Sequence, residues 1–230
     1  MSDTTDILAA NRPASASPPR PVPVMRSPIS AHHQRRGATL MVEDGWEMPR
    51  LYQDIERERT AIREGLAIAD ITARGKIDVR GTLESALAAL PQTHGAALAR
   101  VSRNWALVFT PPAGLAGALT LMESLASRDT MVTDATSIYA GIALLGLRVP
   151  DLLSRLTAVD PSTLLPGGCL ATQLLRLPAI LVRRELPVMV VETYVPSEFA
   201  SYAWEAIFEV AQPLSPEPAG LDALRAEGWR

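Results

Sequence analysis

The sequence predicts an α+β fold built from tandem alpha/beta subdomains whose sheets are largely antiparallel. Helix-like and strand-like segments alternate along the chain, yet many strand-like segments follow one another after only a few turn residues. Short turns join antiparallel neighbours, whereas a doubly wound parallel sheet needs a crossover between successive strands. With 230 residues, of which 47% are hydrophobic, the chain can bury a substantial core. We expect subdomains over residues 28–128 and 129–230.

Helices are predicted where apolar residues recur every three or four positions. The first such segment carries Ile55, Ile62 and Leu66 on one side and charged side chains on the other. Pro196 opens a later one, at a position where its missing N–H group costs nothing. The predicted helices are residues 53–67, 83–90, 114–126, 150–158, 197–210 and 221–226.

Strands are predicted where apolar and polar residues alternate, or where short apolar runs lie between turn residues. Trp105, Leu107 and Phe109 alternate along the second arm of a hairpin that turns at residues 102–104. The predicted strands are residues 68–71, 76–79, 96–102, 104–110, 131–134, 138–145, 169–175, 179–183 and 188–194.

Residues 1–27 differ in composition from the rest of the chain, since Ala, Ser and Pro dominate them. Such a segment offers too little apolar surface to offset the entropy cost of ordering it. We therefore expect a disordered tail over residues 1–27 and a folded domain over residues 28–230. Met25 stands where the domain-like sequence begins, so it is an alternative start of the protein.

Composition excludes several classes of function. The net charge is −3 and no long basic run occurs, which argues against nucleic acid as a partner. One cysteine and three histidines rule out an intramolecular disulfide and argue against a metal site. No apolar run reaches the length of a membrane span, and the N-terminus does not resemble a secretory signal. We expect a cytoplasmic protein that binds neither a membrane nor a metal ion.

Several short motifs occur in a characteristic order. In the first half they are His32-His33, Gly45-Trp46-Glu47-Met48-Pro49 and Gly75-Lys76-Ile77-Asp78-Val79. In the second half they are Val195-Pro196 ahead of Trp204-Glu205, and Gly220-Leu221 ahead of Arg225-Ala226-Glu227-Gly228. This order and spacing resemble the folate-binding aminomethyltransferase family, which includes the glycine cleavage T-protein and the gamma subunit of heterotetrameric sarcosine oxidase. The resemblance implies the fold of the folate-binding half of T-protein.

The resemblance also implies two cofactor-binding residues. Met48 matches the T-protein methionine that lies against the pteridine ring of folate, and a thioether packs well on an aromatic face. Arg225 matches an arginine near the folate tail, where a guanidinium can pair with a carboxylate. From the residues alone, Met48 can equally be ordinary packing. Arg225 can equally form a surface ion pair with Glu227 or Asp222.

Two polar elements of the family are absent. T-proteins carry a G-G-x-x-D-D element and a Y-T-G-E loop, and each supplies a carboxylate to folate. Here no acidic residue lies between Glu84 and Glu123, and residues 183–187 occupy the place of the second element. Glu185 could substitute there, although a surface charge is the other interpretation. The resemblance implies tetrahydrofolate as a cofactor, these absences argue against it, and no catalytic residue is predicted.

Shortness and the missing carboxylates favour the sarcosine oxidase gamma-subunit branch. The resemblance then implies an accessory, non-catalytic subunit whose partners are flavoprotein subunits of an amine oxidase or dehydrogenase. The alternatives are a stand-alone tetrahydrofolate-dependent aminomethyl- or methyltransferase, and a scaffold or repair protein outside amine metabolism. The aromatic side chains of residues 197–210 fall on two faces of a helix, and we expect Trp204 on the second face to anchor a partner.

Overall fold

Three β-sheets and the helices packed on them make up the computed structural model, which describes residues 23–82 and 97–229. The predicted α+β class with largely antiparallel sheets is confirmed. The helices of the described residues are α1 (Ser30–Arg35), α2 (Ile55–Glu64), α3 (Leu115–Leu125), α4 (Val149–Leu156), α5 (Ala200–Ala211) and α6 (Leu221–Ala226). The strands are β1 (Met25–Arg26), β2 (Thr39–Glu43), β3 (Trp46–Leu51), β4 (Ala67–Asp70), β5 (Gly75–Gly81), β6 (Ala97–Ser102), β7 (Trp105–Thr110), β8 (Thr130–Asp134), β9 (Tyr139–Leu145), β10 (Cys169–Leu174), β11 (Leu177–Arg184), β12 (Val190–Pro196) and β13 (Glu217–Ala219).

The largest sheet has six strands in the order β10-β11-β12-β9-β4-β13. Its neighbouring strands are antiparallel except for β4 and β13, which run parallel. One face packs on α4 and α5, where Leu144, Leu152 and Ile207 are fully buried. The other face meets α2, α6 and the second sheet. The core therefore lies on both faces of this sheet.

The second sheet has four antiparallel strands in the order β6-β7-β5-β8. Helix α3 covers one face, where Ala118 and Met122 pack with Ile77. On the other face Phe109 stacks on Tyr194 of the six-stranded sheet, with ring centroids 4.2 Å apart. The two sheets therefore share one layer of core side chains.

Strand pairing runs across the expected subdomain boundary near residue 128. Strand β4 lies before that boundary and pairs with β9, which lies after it, and β5 pairs with β8 in the same way. Each large sheet therefore takes strands from both parts of the chain. The connection from β4 to β5, residues 71–74, passes from one sheet to the other.

The third sheet, in the order β1-β3-β2, lies at the start of the domain. Asp44 and Gly45 have positive φ angles of 49° and 79° and form the two-residue turn between β2 and β3. Strand β1 pairs with β3 and Ser27 is buried. The expectation that the disordered tail extends to residue 27 is therefore wrong for residues 25–27. Residues 1–22 and the predicted helix 83–90 lie outside the described residues.

Most other predicted elements are confirmed, with small shifts at their ends. The sequence reasoning missed α1, β1, β2, β3 and β13. The Asp44-Gly45 pair between apolar residues is a strong hairpin signal and could have revealed β2 and β3. Strands β1 and β13 have only 2 and 3 residues, so no periodicity exists to detect.

The expectation that Trp204 anchors a partner is wrong. Trp204 is 1% exposed and Phe208 is 2% exposed, because the face that carries them is covered by α1 and α4. The His33 ring of α1 lies edge-on to the Trp204 ring at 5.2 Å. The exposed aromatic side chains around this helix are Phe199 and Tyr202, at 41% and 54%.

Candidate functional site

A cavity of about 260 Å³ opens where the β2–β3 hairpin, the 71–74 loop and α6 meet. Met48 and Arg225, the two residues that the sequence singled out, both line it. They are far apart in sequence, and the packing of α6 against β3 brings them together. The apolar part of the lining includes Ile71, Leu221 and Trp229.

Met48 forms part of the apolar wall. It is 3% exposed and packs with Trp46, Ala73 and Leu221. Its strand β3 is held in register by β2, where Met41 faces it across the ladder. A buried thioether at the edge of a cavity suits a flat apolar ligand and also serves as core packing.

Arg225 lies at the mouth of the cavity and is ion-paired. Its Nη2 atom donates to Glu43 at 2.7 Å from Oε1 and 2.6 Å from Oε2. The partners expected from the sequence are engaged elsewhere: Asp222 accepts from Arg50, and Glu227 accepts from two arginines of α2. Arg225 therefore does form an ion pair, with a partner on the β2–β3 hairpin that the sequence did not indicate.

The inner wall of the cavity is fixed by a buried chain of hydrogen bonds. The Tyr52 hydroxyl donates to His33 Nδ1 at 2.7 Å, and His33 Nε2 donates to Asp70 Oδ2 at 2.8 Å. Asp70 Oδ1 accepts from the Thr72 N–H at 2.8 Å. Burial alone would raise the pKa of Asp70, but hydrogen bonds from His33, Ser27 and Thr72 outweigh it, and the pKa lies below its usual value.

Thr72 is held from its other side by Lys76, the chain's sole lysine. The Lys76 side chain is fully buried, and its Nζ donates to the carbonyl oxygens of Thr72 at 2.8 Å and Thr136 at 3.0 Å. Burial lowers the pKa of Lys76 to about 7, against the opposing effect of the Asp70 charge. The loop of residues 71–74, which forms the inner wall, is therefore anchored through both the N–H group and the carbonyl group of Thr72.

A second buried cluster lies behind the loop. Arg74 lines the cavity, and its guanidinium lies 5.1 Å from the centre of the Trp229 ring. Arg74 Nη1 is 3.6 Å from Glu192 Oε1, and the Tyr194 hydroxyl donates to Glu192 Oε2 at 2.7 Å. Burial and the Glu192 charge raise the pKa of Tyr194 well above its usual value. This tyrosine therefore stays protonated and acts as a donor.

The sequence reasoning missed the inner wall. His32 and His33, which the sequence offered only as part of a motif, are both buried, at 6% and 1% exposed. His32 Nε2 lies 2.5 Å from Ser201 Oγ, which ties α1 to α5. Asp70 was placed only within a predicted strand, residues 68–71. Glu185, considered as a substitute folate ligand, is exposed and lies in a different groove.

Tetrahydrofolate fits this cavity only in part. Met48 and Leu221 suit the face of a heterocycle, and the buried indole N–H of Trp229 has no acceptor among the described residues. The volume lies below the roughly 300–1,000 Å³ usual for ligand pockets. The groups that could hold a charged tail are engaged, since Glu43 occupies Arg225. Within residues 23–82 and 97–229, no group of three or more His, Cys, Asp or Glu could hold a metal ion.

Comparisons with known proteins find relatives in sequence among aminomethyltransferases. An aminomethyltransferase of Streptomyces avermitilis is 27% identical over 228 residues, covering 86% of this chain and 61% of the relative. A probable aminomethyltransferase of Haloarcula marismortui is 32% identical over 168 residues, covering 60% of this chain and 46% of the relative. This chain thus spans about six tenths of the length of the first of these relatives. No protein-family model matches it.

Two solved structures share the fold. The aminomethyltransferase T of the Bartonella henselae glycine cleavage system superposes with a TM-score of 0.74 at 18% identity, covering 89% of this chain and 62% of that one. A chain of heterotetrameric sarcosine oxidase from Corynebacterium sp. U-96 gives a TM-score of 0.62 at 13% identity, covering 85% of this chain and 98% of that one.

In sequence and in fold the chain is similar to aminomethyltransferases, which confirms the resemblance found in the motifs. Its fold is also similar to that of a chain of heterotetrameric sarcosine oxidase. No helix in the part of the chain that the structure describes is long and apolar enough to cross a bilayer.

Proposed function

We propose that this chain is an accessory, gamma-type subunit of a multi-subunit, flavin-dependent amine oxidase or demethylase of the sarcosine oxidase kind. A flavoprotein partner oxidises an N-methyl amine, and this chain completes the assembly without performing the chemistry. The complex acts in one-carbon metabolism and in the cytoplasm. A chain with a single cysteine cannot form an intramolecular disulfide, which is consistent with that reducing compartment.

The observation that carries this proposal is that charged groups around the cavity already contact partners within the protein. Glu43 holds Arg225, and His33 and Thr72 hold Asp70. A catalytic or cofactor-binding group needs a free hydrogen-bonding position directed at its ligand. Each of these groups already has a partner within the protein, as expected for a domain that retains the fold and contributes structure.

The extent of the structural match supports the same proposal. This chain covers 98% of the matched chain from heterotetrameric sarcosine oxidase, but 62% of the Bartonella henselae aminomethyltransferase. The matched protein is a heterotetramer, and this likeness in fold supports a role for the chain in a complex of that kind.

Co-expression with flavoprotein amine-oxidase subunits from the same genome tests the proposal. We expect this chain to elute with them at fixed stoichiometry, in one peak that carries flavin absorbance and oxidises an N-methyl amine. A control co-expression with an unrelated flavoprotein should give two separate peaks. If this chain elutes apart from every candidate subunit and the flavoprotein is fully active alone, the proposal is wrong.

A stand-alone tetrahydrofolate-dependent aminomethyl- or methyltransferase is the second candidate. It is favoured by the presence of Met48 and Arg225 in one cavity. Titration calorimetry with tetrahydrofolate separates the two candidates. We expect weak or no binding. Low-micromolar binding that is lost in Met48→Ala, and kept in the matched control Met41→Ala outside the cavity, would favour the transferase.

A further inference from the structure

The mouth of the cavity holds a carboxylate that belongs to the protein itself. Glu43 and Arg225 both line the cavity, and one guanidinium nitrogen reaches both carboxylate oxygens at 2.7 Å and 2.6 Å. Arginine binds a ligand carboxylate through the same type of charge-assisted contact. Glu43 therefore occupies the position at which a carboxylate-bearing ligand would meet Arg225.

The position of Glu43 is set by the backbone around it. It is the last residue of β2, paired with Trp46 across the hairpin, and the two-residue Asp44-Gly45 turn follows at once. Two-residue turns of this kind fix the register of a hairpin. Arg225 is held on α6, which packs against β3 and α2. Two packed elements thus present the two charges to each other.

The pair is accessible enough to open. The side chains of Glu43 and Arg225 are 37% and 47% exposed, respectively. Ion pairs of this exposure contribute little to stability, because water can replace either partner. Opening the pair would expose a guanidinium next to the Met48 wall, whereas the closed pair leaves Asp44 as the unneutralised charge among these three mouth residues. In the closed state Glu43 therefore offsets the charge that Arg225 would present to an anion.

We propose that Glu43 is the specificity-determining residue of this cavity: it neutralises Arg225 and selects against ligands that carry a carboxylate, so that the wild-type cavity takes small, carboxylate-free ligands with an apolar ring. The inference deepens the proposed function, since it explains why a family-like cavity would not retain a folate tail. It concerns the isolated chain, so its failure is distinguishable from failure of subunit assembly.

The test uses two small probes that differ by one charge, 4-aminobenzoate and 4-aminobenzamide, titrated by ligand-observed NMR at low salt. Wild-type protein should bind the amide more tightly than the carboxylate. Glu43→Gln should tighten carboxylate binding roughly two- to fivefold, in line with the strength of an exposed ion pair. It should leave amide binding unchanged.

Two further variants make the result specific. Asp44→Asn removes the same charge from the same mouth without releasing Arg225, so its effect on carboxylate binding should be smaller, below about twofold. Adding Arg225→Gln to Glu43→Gln should abolish the gain. The proposal is overturned if Asp44→Asn matches Glu43→Gln, if the gain survives without Arg225, or if neither probe binds any variant.

Discussion

Each end of the cavity holds a carboxylate, and the two carboxylates differ in burial and in the partners that they contact. At the inner wall, Asp70 has no exposed side-chain surface and accepts hydrogen bonds from His33 and Thr72. At the mouth, Glu43 is 37% exposed and has Arg225 as its partner. Desolvation makes a buried charge depend on its partners, whereas water can replace the partner of an exposed one.

The contrast shows that the two ends have different tasks. The inner wall maintains the fold, because its carboxylate joins α1, the 71–74 loop and the end of β4. At the mouth, the Glu43–Arg225 ion pair can open at a small cost in free energy. Selectivity between ligands can therefore reside there. Three changes test this division, taken from the largest expected effect to the smallest.

Asp70→Ala should destabilise the protein by about 3–5 kcal/mol, because it leaves buried donors of His33 and Thr72 without an acceptor. Urea unfolding followed by circular dichroism measures the loss. The matched control is Asp44→Asn, which removes an exposed carboxylate at the mouth of the same cavity, keeps a side chain that tolerates the positive φ angle of the turn, and should stay within about 0.5 kcal/mol of wild type. Equal effects of the two changes would remove the distinction between wall and mouth.

Raising the pH from 7 to 9.5 should stabilise the protein through Lys76. Its pKa is about 7 in the folded chain and near 10.4 when unfolded. Between these values the unfolded chain binds a proton that the folded chain does not, so stability rises with pH, by at most about 1.4 kcal/mol per unit. Above about pH 10 the trend should reverse as tyrosines ionise in the unfolded chain, because the pKa values of Tyr52 and Tyr194 are raised on folding.

Thermal unfolding across this pH range measures the effect, and Lys76→Met is the control. The variant keeps an unbranched side chain without an ionisable group, so its melting temperature should vary less between pH 7 and 9.5. A pH response that persists in Lys76→Met would have to arise elsewhere and would contradict this assignment.

Glu43→Gln should change the free energy of unfolding by less than about 1 kcal/mol, because its ion pair with Arg225 is half-exposed. The difference from wild type should shrink further in 1 M salt, where the screening length is about 3 Å. Urea unfolding at two salt concentrations measures both values. A loss as large as that of Asp70→Ala would show that the mouth is also structural.

Elements with a long, regular pattern could be predicted from the sequence. The hairpin of β6 and β7 and the helix α5 were found because alternation and apolar spacing report the local environment directly. Short elements such as α1 and β1 carry too few residues for a period. Trp204 was misplaced because helix periodicity identifies two apolar faces without saying which other element covers the second.

The site was predictable only where the resemblance supplied residues. Met48 and Arg225 do share a cavity, although their role in binding remains a prediction. The chain of Tyr52, His33 and Asp70 joins residues 19 and 37 positions apart, and no local pattern links such partners. Likewise, the choice of Glu43 over nearer acidic residues as the partner of Arg225 depends on how α6 packs against the hairpin.

The loop of residues 71–74 has a mechanical consequence. It connects β4 of the six-stranded sheet to β5 of the four-stranded sheet. Thr72 is clamped by Asp70 on one side and Lys76 on the other. Moving the inner wall to admit a bulky ligand would therefore shift one sheet relative to the other. Such a shift would disturb the stacked rings of Phe109 and Tyr194. We therefore expect any change in the shape of this cavity to begin at the hairpin and α6.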